Sequence, residues 1–119
     1  TVFGCLAKYS AGGAPMDDER YRLRAQVIKA LAHSTRLRIV EKLAEEETCV
    51  CDLQALVGGD ISTVSRHLSV LRSAGVVADR KDGLKVFYSL RGPCVLRCVE
   101  GVDEVLDSRR DVLLSVCER

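Results

Sequence analysis

Cys49 and Cys51, separated by a single valine, are the residues of this chain best suited to chemistry by type and spacing. Thiolate sulfur is a soft ligand, and soft ligands select soft ions such as As(III), Sb(III), Cd(II) and Pb(II). The pair stands at the predicted start of a short helix, where the helix N-terminus favours the thiolate form. Positions i and i+2 of a regular helix point about 200° apart. We therefore expect one ion to bind both sulfurs only if the first helical turn is distorted.

Cys94 and Cys98 form a second thiol pair near the end of the chain. They are four residues apart on a predicted helix, so their side chains face the same way. With Cys117 they could form a separate thiolate site, or one of them could complete the site at Cys49 and Cys51. A reducing compartment keeps thiols free, so clustered cysteines favour metal or redox chemistry over disulfides, although cysteines are also common in protein cores.

The composition of the 119 residues is that of one globular domain, with 47% hydrophobic and 29% charged residues. The net charge is only +1, but residues 60–91 hold six basic and three acidic side chains, which suits that segment to phosphate contacts. Aromatic residues are scarce, which argues against base stacking as a binding mode. No apolar run is long enough to span a membrane and no signal peptide is recognisable, so we expect a cytoplasmic protein.

Local signals divide the chain into a flexible N-terminal arm, residues 1–15, and a single domain, residues 16–119. The domain begins with a helix that has acidic residues in its first turn and places Leu23 and Ile28 on one apolar face. A second helix follows, for which Ser34 is the expected N-cap. Both helices are expected to support the segment that comes next.

A third and a fourth helix are expected on either side of Gly58 and Gly59. Thr48 is the expected N-cap of the third helix and Ser62 that of the fourth. The two glycines supply the backbone conformation of a helix stop. Two helices around such a tight turn make the helix-turn-helix pattern.

Two β-like runs, residues 76–80 and 84–90, flank Asp82 and Gly83, which are typical hairpin-turn residues. Pro93 suits the first turn of a last helix. The apolar stripe of that helix is broad, and a two-fold mate is the simplest partner to cover it. The order of elements therefore predicts a winged helix-turn-helix.

The fourth helix and the hairpin carry the side chains that suit DNA recognition. Short polar and cationic side chains on an exposed helix face match the donors and acceptors of the major groove. Cations around the hairpin turn would meet the backbone or the minor groove. The alternative is a pair of helices with an ordinary solvated face. The candidate DNA-binding residues are Ser62, Thr63, Ser65, Arg66 and His67 on the helix and Arg80, Lys81 and Lys85 on the hairpin.

Several sequence blocks resemble the ArsR/SmtB family of metal-responsive repressors, across about residues 20–106. The resemblance implies a mostly α fold with a β-hairpin wing, assembled as a homodimer through its first and last helices. It also implies a repressor that binds double-stranded operator DNA when metal-free and releases it when the inducer binds. The blocks are ALAHSTRLRIV at 30–40, CVCDL at 49–53, STVSRHLSVL at 62–71, GVV at 75–77 and VFYSL at 86–90.

The Cys-x-Cys at the start of the third helix resembles the arsenic-sensing branch of that family, a feature shared with antimony, cadmium and lead sensors. The resemblance implies As(III) or Sb(III) as the inducer, with Cd(II) or Pb(II) as the alternative. A third cysteine is expected three residues after the second, where this chain has Gln54. Cys5 in the arm could supply the third thiolate across the dimer, as the arm does in the cadmium and lead sensors. Cys94 or Cys98 is the other source.

Other interpretations change the signal or the class of protein. A thiol redox or reactive-sulfur-responsive repressor would form a disulfide or polysulfide. Cys117 resembles one thiol of such sensors, but the second helix lacks the other. A zinc-type site is disfavoured, because the only histidines, His33 and His67, form no metal-binding pair. A thiol oxidoreductase would use Cys-x-x-Cys after a strand, so no enzymatic activity is expected. A plain interaction module with incidental cysteines is the last alternative.

Overall fold

The computed structural model describes the backbone of residues 17–117 and the side chains of residues 17–114. This part of the chain is mostly helical and carries a β-hairpin, which confirms the expected fold class. The expected arm, with Cys5, lies outside the described residues. The elements are α1 (Asp18–Leu31), α2 (Ser34–Glu45), β1 (Thr48–Cys49), α3 (Val50–Val57), α4 (Ile61–Ser73), β2 (Val77–Asp82), β3 (Lys85–Leu90) and α5 (Val95–Cys117).

Helices α3 and α4 form the helix-turn-helix around Gly58 and Gly59. The φ angles of these glycines are +77° and +82°, in the left-handed region that glycine tolerates best. Helix α4 begins where Asp60 Oδ1 accepts a hydrogen bond from the backbone N–H of Thr63 at 2.9 Å. The expectation that Ser62 caps α4 is therefore wrong, because an acidic residue two positions earlier already satisfies that N–H.

The three strands form one antiparallel sheet in the order β1, β3, β2, called the wing sheet below. In β1, Thr48 lies opposite Tyr88 and Cys49 lies opposite Phe87. The sequence does not predict β1, because two residues are too few to show the alternation of a strand. The extra strand ties the start of α3 directly to the hairpin.

The expected hairpin is confirmed, but its turn lies one residue later than expected. Asp82 pairs with Lys85, so the turn residues are Gly83 and Leu84. Gly83 has a φ of +65°, which glycine adopts at no steric cost. Leu84, expected in the strand with an alternating apolar face, is instead fully exposed at the tip of the hairpin.

The core lies between α2, α3, α4 and the wing sheet. Helix α4 contributes three fully buried side chains, so its inner face is completely covered. Burying one such aliphatic side chain contributes about 1.5–3 kcal/mol, which makes this packing the main force that orients α4. The largest fully buried side chains are Ile39 and Val40 of α2, Leu53 of α3, Val64, Leu68 and Leu71 of α4, and Val77 of β2.

His67 anchors α4 to the start of α2. Its half-buried ring accepts a hydrogen bond at Nδ1 from Nε of Arg36 at 3.1 Å and lies 4.5 Å, between ring centroids, from His33. His33 is the N-cap of α2, since its Nδ1 accepts from the backbone N–H of Thr35 at 3.1 Å. The expectation that Ser34 is this cap is therefore wrong by one residue, because the imidazole in front of it already reaches the free N–H.

The surroundings of His67 lower the pKa of its imidazole. Burial is the main cause, followed by the charges of His33, Arg36 and Arg66. The neutral ring keeps the lone pair on Nδ1 that the bond from Arg36 requires. Because the folded pKa lies below the ordinary 6.5, stability from this group is complete above pH 6.5. That stability is lost as the pH falls towards the lowered folded value.

Apolar side chains remain exposed on α1 and α5 once the core has formed. Leu23 and Ile28, expected on one apolar face of α1, are 51% and 64% exposed, whereas Leu31 is buried. Among the described residues, no helix combines the length and the apolar character needed to cross a membrane. The exposed large apolar residues of these two helices are Tyr21, Leu23 and Ile28 of α1 and Val102, Val105, Leu106, Val112, Leu113 and Leu114 of α5.

Leu71→Ala is expected to lower the free energy of unfolding by about 2–5 kcal/mol, because it leaves a cavity beneath α4. Leu84→Ala removes the same atoms from a fully exposed side chain, so its effect should stay within about 0.5 kcal/mol. Urea unfolding at one fixed protein concentration, followed by circular dichroism, measures both. Equal losses in the two variants would contradict the burial of Leu71 and the exposure of Leu84.

Lowering the pH from about 8 to 5 is expected to destabilise the protein in part through protonation of His67. Protonation removes the acceptor of the Arg36 bond and places a third cation beside Arg36 and Arg66. His67→Gln keeps an uncharged acceptor but does not titrate, so the urea midpoint of this variant should fall less over the same range. An identical decline in wild type and variant would show that His67 does not contribute.

Candidate nucleic-acid interface and thiol site

The thiol pair stands on either side of the start of α3. Cys49 is the N-cap residue, with extended backbone and 5% exposure, whereas Cys51 is exposed in the first turn. The expectation that Thr48 caps α3 is wrong: Thr48 belongs to β1, and its hydroxyl donates to the carbonyl oxygen of Glu46 at 2.9 Å. Because Cys49 lies outside the helix, helical periodicity does not fix the angle between the two sulfurs. The backbone torsions of the N-cap set it instead.

The described residues bring no third ligand to this pair. Among the side chains of residues 17–114, no three His, Cys, Asp or Glu are grouped closely enough to hold a metal ion. Gln54, at the position of the expected third cysteine, donates from its amide to the carbonyl oxygen of Gly59 at 3.2 Å. That side chain therefore stabilises the turn of the helix-turn-helix rather than an ion.

Cys94 and Cys98 lie at the start of α5, and both are exposed. The helix begins at Val95, later than the expected first turn at Pro93, because a tight turn closed by the bond from Leu96 N to Pro93 O at 3.1 Å precedes it. Cys94 is therefore one residue outside the helix. The described structure does not group these two thiols with the pair at α3, and their role as ligands stays a prediction.

The exposed face of α4 carries Ser62, Thr63, Ser65 and Arg66, where the sequence predicts DNA contacts. Asp60 engages two of them: the Ser62 hydroxyl donates to Oδ1 at 3.1 Å and the Thr63 N–H at 2.9 Å. Hydrogen bonds from Thr63, then from Ser62, hold the pKa of Asp60 below its ordinary value. The proton of Ser62 is thus committed, and its lone pairs remain to accept from a base-edge donor.

His67, the fifth predicted contact on α4, differs from the other four in being half-buried. Its Nδ1 already accepts the hydrogen bond from Arg36. The neutral ring therefore carries its proton on Nε2, which is the atom left for another partner. The structure gives His67 a positioning role within the protein, and its contact with DNA stays a prediction.

The wing cations differ in how their charge is compensated. Arg80 donates from Nε to both carboxylate oxygens of Glu47, each at 2.9 Å, and its guanidinium lies 4.7 Å over the ring of Phe87. This pairing lowers the pKa of Glu47 and raises that of Arg80. Lys81 and Lys85 are exposed and form no ion pair with the side chains of residues 17–114. They are the wing cations most available to phosphates.

The wing sheet connects the thiol pair to α4, the second or recognition helix of the helix-turn-helix. Cys49, Phe87 and Arg80 lie side by side across the three strands. The adjacent residue of β2, Asp79, forms an ion pair with the end of α4. Its Oδ2 accepts a hydrogen bond from Nη1 of Arg72 at 3.0 Å. Glu47 and Arg72 are not predicted from the sequence, because their partners Arg80 and Asp79 lie on other elements and leave no local signal.

Comparison with known proteins identifies relatives that are transcriptional regulators. Residues 33–79 match the bacterial regulatory protein, arsR family. Over 87 residues the chain is 41% identical to Rv0081 of Mycobacterium tuberculosis, an uncharacterized HTH-type transcriptional regulator, with 72% of this chain and 76% of that protein covered. Over 73 residues it is 38% identical to CadC of Listeria innocua, a cadmium resistance transcriptional regulatory protein, with 60% and 61% covered.

Solved structures agree with the architecture. The crystal structure of Rv0081 has a TM-score of 0.72 at 36% identity, covering 82% of this chain and 99% of that one. The solution structure of Mb0332 from Mycobacterium bovis, a homodimeric winged helix-turn-helix DNA-binding domain, has a TM-score of 0.71 at 32% identity, covering 85% and 94%. A regulator rather than an enzyme is thereby confirmed. The chain belongs to the ArsR family of bacterial regulatory proteins, which are DNA-binding transcriptional regulators.

Proposed function

We propose that this protein is a metalloid-responsive transcriptional repressor that binds operator DNA when metal-free and releases it on binding As(III) or Sb(III). The observation that carries the proposal is the position of two thiols, Cys49 and Cys51, at the start of the first helix of the helix-turn-helix. Thiolates prefer soft ions. An ion bound there acts on the element that holds the recognition helix.

Three thiolates complete the proposed As(III) site. Cys49 and Cys51 supply two, and we assign the third to Cys5 of the N-terminal segment, reaching across the dimer. A single cysteine in that segment suits three-coordinate binding. Cys94 and Cys98, which are exposed on a separate element, are the alternative source of the third thiolate.

The proposed assembly is a homodimer through α1 and α5. The apolar side chains that these helices leave exposed, such as Ile28 and Leu113, gain from burial against a second copy. The related Mb0332 domain is described as homodimeric. A two-fold dimer presents two recognition helices, which suits half-sites about 34–36 Å apart on one face of the DNA.

In the proposed complex the exposed face of α4 lies in the major groove and the wing contacts the backbone. The side chains at the start of α4 are short or cationic, as base-edge readout requires. Arg66 is the candidate for a bidentate contact with a guanine, the commonest specific contact of arginine. The proposed contacts are Ser62, Thr63, Ser65, Arg66 and His67 of α4 and Arg80, Lys81 and Lys85 of the wing.

We propose that the wing sheet transmits ion binding to the DNA-binding surface. Cys49 is buried as the N-cap of α3, and we infer that ligation of its sulfur together with the exposed Cys51 moves the N-cap backbone. That backbone is also β1, which pairs with β3 and holds Arg80 through the neighbouring Glu47. A coupling free energy of about 1–3 kcal/mol would lower operator affinity 5- to 150-fold.

A Cd(II) or Pb(II) sensor is the second candidate. The observation in its favour is the similarity to CadC, whose name assigns it to cadmium resistance. Thiolate ligands suit these ions as well as As(III). Such a site would need a fourth ligand beyond the three assigned here. A response to Cd(II) or Pb(II) without a response to arsenite would select this candidate.

Cys51→Ser is expected to leave metal-free operator affinity within about twofold and to abolish release by arsenite, because it removes a ligand without touching the DNA surface. Fluorescence anisotropy with labelled operator DNA, under strong reductant, measures both quantities. Cys98→Ser serves as the matched control and should release DNA normally if Cys5 is the third ligand. If Cys51→Ser still releases operator DNA normally with arsenite, the site assignment is wrong. If Cys98→Ser loses this release, Cys98 of α5 is the third ligand instead of Cys5.

Glu47→Gln is expected to weaken the coupling between ion and DNA, because it breaks the charged link from β1 to the wing. Arsenite should still bind, as judged by thiolate–arsenic absorbance, while the ratio of operator affinities without and with arsenite falls several-fold. Glu45→Gln is the matched control, since Glu45 pairs with Lys42 on α2 and with no side chain of the wing sheet. If both variants keep the wild-type ratio, the wing sheet does not carry the signal.

A further inference from the structure

A groove of about 480 Å³ separates the C-terminal half of α1 from the exposed side of α4. Three of its lining side chains are cationic and none is acidic. Two hydroxyls and one amide add hydrogen-bonding groups. The polar lining residues are Gln26 and Lys29 of α1, Arg36 of α2, and Arg66, Ser69 and Ser73 of α4. This composition suits an anion that carries several acceptor oxygens.

One of these cations is held in place by the fold. Arg36 donates from Nη1 to the carbonyl oxygens of Lys29 and Ala30, at 3.4 and 3.2 Å, and from Nε to His67. Its charge is therefore fixed at the end of α1. Lys29 is exposed beside it and forms no ion pair with any side chain described, residues 17–114. The groove thus combines a preorganised cation with an exposed ammonium group, and its lining contains no acidic side chain.

The groove continues the surface that the sequence assigns to DNA. Arg66, Ser69 and Ser73 share one side of α4 with Ser62, as the helical period requires. Helix α4 has 13 residues and is therefore about 20 Å long, whereas the major groove is about 12 Å wide. With α4 entering the groove by its N-terminal end, whose residues contact the base edges, its C-terminal half leaves the groove beside the phosphates that border it.

We propose that this groove receives a phosphate of the DNA backbone that flanks the major groove occupied by α4. Lys29 and Arg36 supply charge, and Ser69 and Ser73 supply hydroxyl donors. The inference rests on DNA binding by the family and not on the identity of the inducer. It adds α1 to the DNA-binding surface, an element that the sequence assigns only to dimerisation.

Lys29→Gln tests the proposal in the metal-free, full-length protein with operator DNA. The slope of log affinity against log salt, over about 50–200 mM salt, should become shallower by about 0.9, as expected for one lost phosphate contact. Affinity should fall several-fold on operator and unrelated DNA alike, because a backbone contact carries no sequence information. Gln26→Glu places a carboxylate in the groove without changing its shape and should weaken binding further.

Lys42→Gln is the matched control, since it removes the same charge from α2, where Glu45 and Glu46 already compensate it. A salt slope that changes equally in Lys29→Gln and Lys42→Gln would overturn the proposal. A second measurement is the Tm in inorganic phosphate. If phosphate raises the Tm of wild type but not of Lys29→Gln, and the two proteins have the same salt slope of DNA affinity, the groove binds a free anion and not the DNA backbone. Failure of arsenite to release DNA would not affect this metal-free measurement.

Discussion

The packing of α4 against the core is the constraint on which the rest of the structure depends, because a helix can read bases only if its orientation is fixed. Val64, Leu68 and Leu71 are fully buried along its inner face. The bond that His67 accepts from α2 and the ion pair from Arg72 to β2 hold the two flanks. Because the inner face and both flanks of α4 are held, its outer face is not needed for packing. That face can consist of short polar and cationic side chains that suit recognition.

The wing sheet joins parts of the chain that would otherwise be independent. Strand β1 is only two residues long, yet it places Cys49 beside Phe87 and next to the Glu47–Arg80 pair. The wing cations therefore differ: Arg80 is paired with Glu47, the residue directly before β1, whereas Lys81 and Lys85 are exposed and available to phosphates. Arg80 is thus the wing cation whose availability to phosphates the proposed ion at Cys49 would change.

The order of helices and the hairpin could be predicted because apolar periodicity and the glycine stops are strong local signals. Their exact starts could not, since Asp60 and His33 use acceptors from just outside the expected caps. Strand β1 could not be predicted from the sequence, because it pairs with β3, which is distant in the chain. For the same reason, the sequence does not predict that Lys29 lies beside α4, since tertiary packing and not sequence spacing brings them together. The candidate thiol pair, by contrast, could be identified from residue type and spacing alone.

The unequal exposure of the two thiols has a kinetic consequence. Cys51 is exposed and Cys49 is buried. In the proposed site, Cys51 therefore captures the ion in a bimolecular step, and Cys49 becomes a ligand only after the N-cap of α3 opens. In the proposed mechanism, ligation is therefore sequential, and the second step is a first-order rearrangement whose rate is independent of ion concentration. At high inducer concentration the response time of the repressor is then set by the stability of a two-residue strand.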